Sequence, residues 1–313
     1  MDNHTTRQIH STPLPAREGQ EGGSSEGRIS SSEHQPLAIV TGANTGMGLE
    51  LTRALAEAGY HVIMACFCPP KAKPVCERLK AETGNPDIEV IGIDLANLSS
   101  VRAFADTIQR RFRHLDRLMN NAGTIETGFH ITVDGLERTV SVNYVGAYLL
   151  TRLLLPLMSR GSRIVNMSSL VFPWGSLDFP DFFERGRKGS FWRIPIYDNT
   201  KLAITLFTFD LARRLKDRGI TVNAADPGVV STDILRMQKF FDPITDIVFR
   251  PIIRTPRQGA DTAIHLLLDE SKAEQTGTFN RSNHIHPVRD KFLHHPKMQQ
   301  LWDETEKVVK DFL

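Results

Sequence analysis

Tyr197 and Lys201 stand four residues apart in the run Ile196-Tyr197-Asp198-Asn199-Thr200-Lys201. On a helix, positions four apart share one face, so a phenol and an ammonium would point into the same space. A free phenol has a pKa of about 10 and is a poor acid or base at neutral pH. A neighbouring cation favours the phenolate and is expected to lower that value. The pair is then a tunable proton donor, which carbonyl reduction and alcohol oxidation both need.

A second group of residues binds phosphate by backbone rather than by side chain. Thr41-Gly42-x-x-x-Gly46-x-Gly48 follows the apolar run Leu37-Ala38-Ile39-Val40 and precedes a helical pattern. Glycines there let the chain turn tightly and approach a pyrophosphate, while the helix N-terminus favours negative charge. A tight turn without a ligand is the alternative reading.

These groups need a frame that brings distant segments together. The pattern predicts strands over 37–40, 61–66, 88–95, 115–119, 162–167, 221–225 and 277–280. Helices are predicted over 49–58, 71–83, 99–112, 135–158, 195–218, 258–268 and 298–310. Ser99 or Ser100 is the expected N-cap of the third helix. Short, almost continuous apolar strands alternating with helices imply an α/β fold: a doubly wound parallel sheet of about seven strands in one domain. Ligands of such a sheet gather outside the carboxyl ends of the strands. The polar motifs all fall there: Asp94-Leu95, Asn120-Asn121-Ala122-Gly123, Ser168-Ser169 and Asp226-Pro227-Gly228.

In this order and at these positions, the glycine loop, Asp94, Asn120 to Gly123, Asn143, Ser169, Tyr197-x-x-x-Lys201 and Pro227-Gly228 resemble the short-chain dehydrogenase/reductase superfamily. The stretches Ala43 to Gly48, Ile164 to Ser169 and Pro227 to Thr232 are similar to its retinol dehydrogenase-like branch. The resemblance implies a Rossmann-type fold and an oxidoreductase. It implies Tyr197 as acid/base, Lys201 as the cation that tunes it and bonds the nicotinamide ribose, and Ser169 as the holder of the substrate oxygen. Asn143 would hold a water beside Lys201, or be an ordinary buried amide. Ser168 is the alternative to Ser169, since strand alternation aims one serine of the two into the cleft. The cofactor would lie along Gly42, Asn44, Thr45, Gly46, Met47 and Gly48, with Asp94 and Leu95 at the adenine and Asn121, Ala122 and Gly123 near the ribose. Pro227, Gly228, Val230 and Thr232 would meet the nicotinamide. Asp94 could instead cap a helix. Pairing into a homodimer through the helices that carry Ala147, Leu150, Leu154, Phe207 and Leu211 is also implied, with ordinary core as the alternative.

The second strand ends in Ala65-Cys66-Phe67-Cys68. No acid stands there for the ribose 2′-OH of NAD(H), and no adjacent base for a 2′-phosphate. The missing acid favours NADP(H), with NAD(H) the alternative and Lys71 and Lys73 the nearest cations. The insert between Ser169 and Tyr197 carries Phe172, Trp174, Phe179, Phe182, Phe183, Phe191 and Trp192. Together with an apolar stretch within about 229–256, it suits a bulky hydrophobic small-molecule substrate. Core packing is the competing reading. A membrane-facing lip is a third, because Arg236, Lys239, Arg250 and Arg254 accompany that stretch.

The remaining features bound the function. Residues 1–34 are polar and read as a disordered tail, lacking the apolar run of a secretory signal, with the oxidoreductase domain over 35–313. The run from Tyr148 to Met158 reads as too short to span a bilayer. A net charge of +2 gives no electrostatic case for nucleic acid. Three clustered cysteines, Cys66, Cys68 and Cys76, do not fit a disulfide framework and point to a reducing, cytoplasmic setting. Neither they nor His284, His286, His294 and His295 show a metal-ligand pattern. The rival from another class is a dinucleotide-binding regulator or scaffold of the same fold without turnover. The presence of Asn143, Ser169, Tyr197 and Lys201 together argues for the enzyme.

Overall fold

Alternation of side chains along each strand sorts the apolar residues onto two faces. In a computed structural model describing residues 35–179, 181–184, 193–230 and 254–313, Leu37 and Ile39 of β1 (Leu37–Thr41) face one core and Ala38 and Val40 the other. The further strands are β2 (His61–Cys66), β3 (Ile88–Gly92), β4 (Arg117–Asn120), β5 (Arg163–Met167), β6 (Thr221–Asp226), β7 (Phe279–Arg281) and β8 (His284–Ile285). Their order is β3-β2-β1-β4-β5-β6-β7-β8. Seven strands are parallel. The eighth pairs antiparallel with β7 and is too short to carry a sequence signal. The expected seven strands are therefore eight.

One face is covered by α1 (Gly46–Glu57), α2 (Pro69–Thr83) and the later helix Pro256–Leu268. The other is covered by α3 (Leu98–Arg111), the helical stretch that begins at Arg138, and the helices Arg193–Arg214 and Met298–Val309. The chain leaves β1 and β4 in opposite directions across the sheet, which opens a crevice at their carboxyl ends.

Two helix starts differ from expectation. Asn97, not Ser99 or Ser100, caps α3, its Oδ1 accepting from the Ser100 amide at 3.2 Å. The stretch expected as one helix from 135 to 158 begins with a single turn, α4 (Arg138–Val140), capped by buried Glu137. It widens into a π turn over Ser141–Val145 and resumes as α5 (Gly146–Leu154). The stretch packs closely on the loop after β3. Ser141 Oγ donates to the Leu95 carbonyl at 3.0 Å, and a Cβ on Gly146 would lie 2.5 Å from that same oxygen.

After α6 (Asp181–Glu184) come α7 (Arg193–Arg214), α8 (Pro256–Leu268), α9 (Asp290–Leu293) and α10 (Met298–Val309). Trp302 of α10 packs against Tyr148 and Phe207, and Tyr144 Oη bonds Thr305 Oγ1 at 2.8 Å. Ala147, Leu150, Leu154, Phe207 and Leu211 are buried within this one chain, so they are core and not a free face for a second copy. The helical stretch Arg138–Leu157 reaches the length and composition of a membrane span, longer than the run from Tyr148 to Met158, and most of it is buried inside the fold.

Much of the aromatic insert is likewise core. Phe172 packs on Phe279 and Phe292, and Phe182 and Phe183 pack on each other and, through Phe182, on Tyr144. Trp174 is 75% exposed. Phe191, Trp192 and the apolar stretch after Thr232 lie outside the described residues.

Gly146→Ala forces a methyl against the Leu95 backbone. We expect a loss of about 1–3 kcal/mol of stability, read as a lower Tm, with weakened nucleotide binding because Leu95 lines the crevice. An unchanged Tm would show that the contact is not tight.

Candidate active site

The glycine loop is shaped by what a side chain would strike. Gly42 and Gly46 have φ of +64° and +53°, which side chains disfavour. A Cβ on Gly48 would lie 2.0 Å from the Gly42 carbonyl oxygen. Asn121 closes the loop from β4: its Nδ2 donates to the Thr41 carbonyl at 2.9 Å, while its amide and that of Ala122 both donate to Thr41 Oγ1 at 3.0 Å. The N-terminus of α1 has no side-chain cap and no acid in its first turn, leaving amide donors for an anion. This loop forms one wall of a cleft of about 500 Å³, lined by Gly42, Asn44, Thr45, Gly46, Met47, Gly48, Asp94, Leu95, Asn121, Ala122 and Gly123. These are the sequence-predicted cofactor residues from the ends of β1, β3 and β4. The cradle fits the dinucleotide that the motif implies. Asp94 does not cap α3; its Oδ1 accepts from the Ala96 amide at 2.8 Å in a local turn.

Gly123 joins this half of the site to the catalytic half. A Cβ there would sit 3.5 Å from Asn143 Oδ1 and 3.9 Å from Lys201 Nζ. The π turn aims Asn143 at the loop after β4. Its Oδ1 accepts from the Thr124 amide at 2.7 Å, and its Nδ2 donates to the Thr124 carbonyl at 2.9 Å and to Thr200 Oγ1 at 3.2 Å. In this structure Asn143 braces the loop against α7. Lys201 is 4% exposed and its Nζ donates to the Met167 carbonyl at 2.9 Å.

The two serines are separated by burial. Ser168 Oγ bonds Thr205 Oγ1 at 2.5 Å beneath α7, whereas Ser169 hydrogen-bonds the Tyr197 hydroxyl. Ser169 is therefore the serine of the site. Val230 is buried and pairs with Arg254, whose Nη1 donates to the Pro227 carbonyl at 3.4 Å. Pro227 and Gly228 form the same corner, and Thr232 lies outside the described residues.

Burial reverses one electrostatic expectation. The phenol of half-buried Tyr197 is pushed up to about 12, chiefly by loss of solvation; Asp226 and Asp198 add to the shift and the Ser169 hydrogen bond opposes it. Lys201 does not lower it. The ammonium lies over the ring, 5.3 Å from its centroid, and is itself lowered to about 8 by burial, with Asp226 opposing. The phenol thus holds its proton at neutral pH.

Sequence reasoning assigned no role to two contributors. Asp226, at the end of β6, acts on both Tyr197 and Lys201. Arg138 lines the cleft and places its guanidinium 5.9 Å from the Phe67 ring centroid. Asp226 falls in a strand-end motif, but nothing in its spacing points to Tyr197 or Lys201, and nothing in the spacing of Arg138 points to the cleft. Among the described residues no group of His, Cys, Asp and Glu could hold a metal ion, and all three cysteines are free.

A dinucleotide cradle next to a Tyr–Lys–Ser cluster defines a nicotinamide-dependent oxidoreductase. The chain belongs to the short chain dehydrogenase family, whose model matches residues 36–178 and 184–240. Within it the chain falls in the retinol dehydrogenase-like branch. It is 37% identical to human retinol dehydrogenase 11 over 85% of this chain and 83% of that protein. It is 35% identical to human retinol dehydrogenase 12 over 78% and 76%. Among solved structures, an uncharacterised protein from Mycobacterium paratuberculosis superposes with a TM-score of 0.71 at 28% identity, covering 88% of this chain and 94% of that one. A blue fluorescent protein from a metagenomic library, solved with NADPH, superposes at 0.64 and 25% identity, covering 79% and 96%.

Tyr197→Phe removes the phenolic hydroxyl and keeps the ring. Turnover should fall about a hundredfold or more while NADPH binding by fluorescence titration persists. Ser169→Ala should lower turnover far more than Ser168→Ala; equal losses would refute the assignment.

Proposed function

We propose that the protein is an NADP(H)-dependent oxidoreductase that moves hydride between the nicotinamide and the carbonyl or alcohol of an apolar small molecule. The observation that carries this reading is the convergence of Ser169, Tyr197, Lys201 and Asn143 beside one nucleotide cleft. When bound, the cofactor supplies or accepts the hydride at its nicotinamide C4. Ser169 donates to the substrate oxygen as charge develops there. Tyr197, protonated through neutral pH, delivers the proton, which suits the direction of carbonyl reduction. Lys201 keeps a buried positive charge over the Tyr197 ring beside the nucleotide cleft.

The choice of NADP(H) is supported by Phe67, which leaves no carboxylate at the end of β2 to repel a 2′-phosphate. Arg138, which stands 5.9 Å from the Phe67 ring centroid in the same cleft and pairs there with Glu126 at 3.3 Å, offers the cation that β2 lacks. The NADPH carried by the metagenomic blue fluorescent protein and the NADP carried by a short chain dehydrogenase from Burkholderia cenocepacia agree with it. An apolar alcohol or aldehyde as substrate is supported by the named activity of the human relatives and by exposed Trp174, Ile194 and Val229. Three free thiols support a reducing compartment such as the cytoplasm.

Two measurements test this. The kcat/KM ratio should favour NADPH over NADH, and Arg138→Ala should raise KM for NADPH about tenfold while leaving NADH unaffected. A strong NADH preference in the wild type refutes the cofactor assignment. For reduction, kcat/KM should be level through neutral pH and fall as pH rises through about 8, where Lys201 loses its proton while Tyr197 still holds its own. A profile level to pH 10 would show that Lys201 stays charged.

A further inference from the structure

Asp226 is 1% exposed at the carboxyl end of β6, an expensive place for a carboxylate unless something requires it. The register pairs Met167 with Ala225, and the Ser168 amide donates to the Ala225 carbonyl at 2.9 Å, so β6 runs beside the serine turn to its last residue. Asp226 then reaches across. Its Oδ1 accepts from the amide of Leu170, the residue after Ser169, at 3.0 Å. Its Oδ2 has no hydrogen-bond donor among the described residues; Arg281 Nε of β7 stands 3.5 Å away.

The charged and titratable groups facing Asp226 come from each neighbouring element. They are Arg281 from β7, Arg254 from the segment before α8, and Lys201 and Tyr197 from α7; the Gly228 amide donates as well. The arginines and the two amides favour the carboxylate against its burial. Lys201 donates to the Met167 carbonyl, one strand position before Ser168, so the ammonium and the carboxylate flank the same turn.

We infer that Asp226 is a positioning residue, whose buried carboxylate anchors the turn that aims Ser169 and serves as the negative counterpart of the Lys201 ammonium. The two functions use different atoms and separate experimentally. The acceptor at Oδ1 sets geometry. The charge sets the pH range over which the site works: it favours the charged form of Lys201 and the protonated form of Tyr197. Removing the charge makes both groups lose their protons at lower pH.

Asp226→Asn keeps an acceptor for the Leu170 amide and removes the charge, whereas Asp226→Ala removes both. In carbonyl reduction with NADPH, the alkaline limb of kcat/KM for Asp226→Asn should move about one unit toward lower pH, with kcat near neutral pH largely kept. Asp226→Ala should show the same displaced limb and, in addition, a lower kcat at every pH with little change in KM for NADPH, because Ser169 is no longer aimed. Both variants lose the charge, so either one that folds tests the limb. Limbs that superpose on the wild type overturn the proposal, since a purely structural ion pair with Arg281 would change stability and leave the profile in place. The inference rests on Tyr197 as proton donor. Turnover retained by Tyr197→Phe would sink that assignment, whereas an inactive Tyr197→Phe with an unmoved Asp226→Asn limb sinks the role of Asp226 alone.

Discussion

The site depends on a cation buried under the carboxyl end of a parallel sheet. The Lys201 ammonium has almost no contact with solvent, and taking such a charge out of water costs several kcal/mol unless partners compensate. The Met167 carbonyl and the carboxylate of Asp226 do so from β5 and β6. Because the cation must meet these partners, α7 has one rotation and one height on the sheet. A polar ladder below it holds the same register: Thr205 of α7 bonds Ser168 just after β5, Thr208 of α7 bonds Asn166 of β5, and Asn166 bonds Asn120 of β4. Tyr197, one turn before Lys201, is placed by the same constraint.

Burial also explains why the phenol behaves differently from a tyrosine beside a lysine in water. Proximity of unlike charges lowers a phenol's pKa, and loss of solvation raises it. Here the second effect wins, and the ammonium sits over the ring instead of beside the oxygen. The two groups are thereby set apart as a phenol that retains its proton and an ammonium that titrates at lower pH.

The dinucleotide half of the cleft was largely legible in the chain. Glycines at fixed offsets between an apolar run and a helical pattern have few structural solutions, and Gly48 admits no side chain at all. Asp94, Leu95 and Asn121 to Gly123 were legible because each group follows a short apolar strand visible locally. Less visible was anything decided by a partner distant in sequence. The aromatic insert read equally well as a substrate wall or as core, and Phe172, Phe182 and Phe183 proved to be core because Phe279, Phe292 and Tyr144 meet them there. Of the residues read as a dimer face, Phe207 is met by Trp302, more than ninety positions away in the chain.

By itself, the sequence determined the fold class, the strand ends at which chemistry gathers, and the spacing that sets Tyr197 and Lys201 on one helix face. These follow from periodicities of two and of three to four residues, which local backbone geometry enforces. Tertiary structure alone decided that Ser169 and not Ser168 faces Tyr197, that Asn143 braces a loop from within a π turn, and that Arg138 stands by Phe67. It alone brought Asp226 to the back of the catalytic pair. Each of those outcomes is set by desolvation and by contacts across the sheet, and neither quantity exists until the chain has closed on itself.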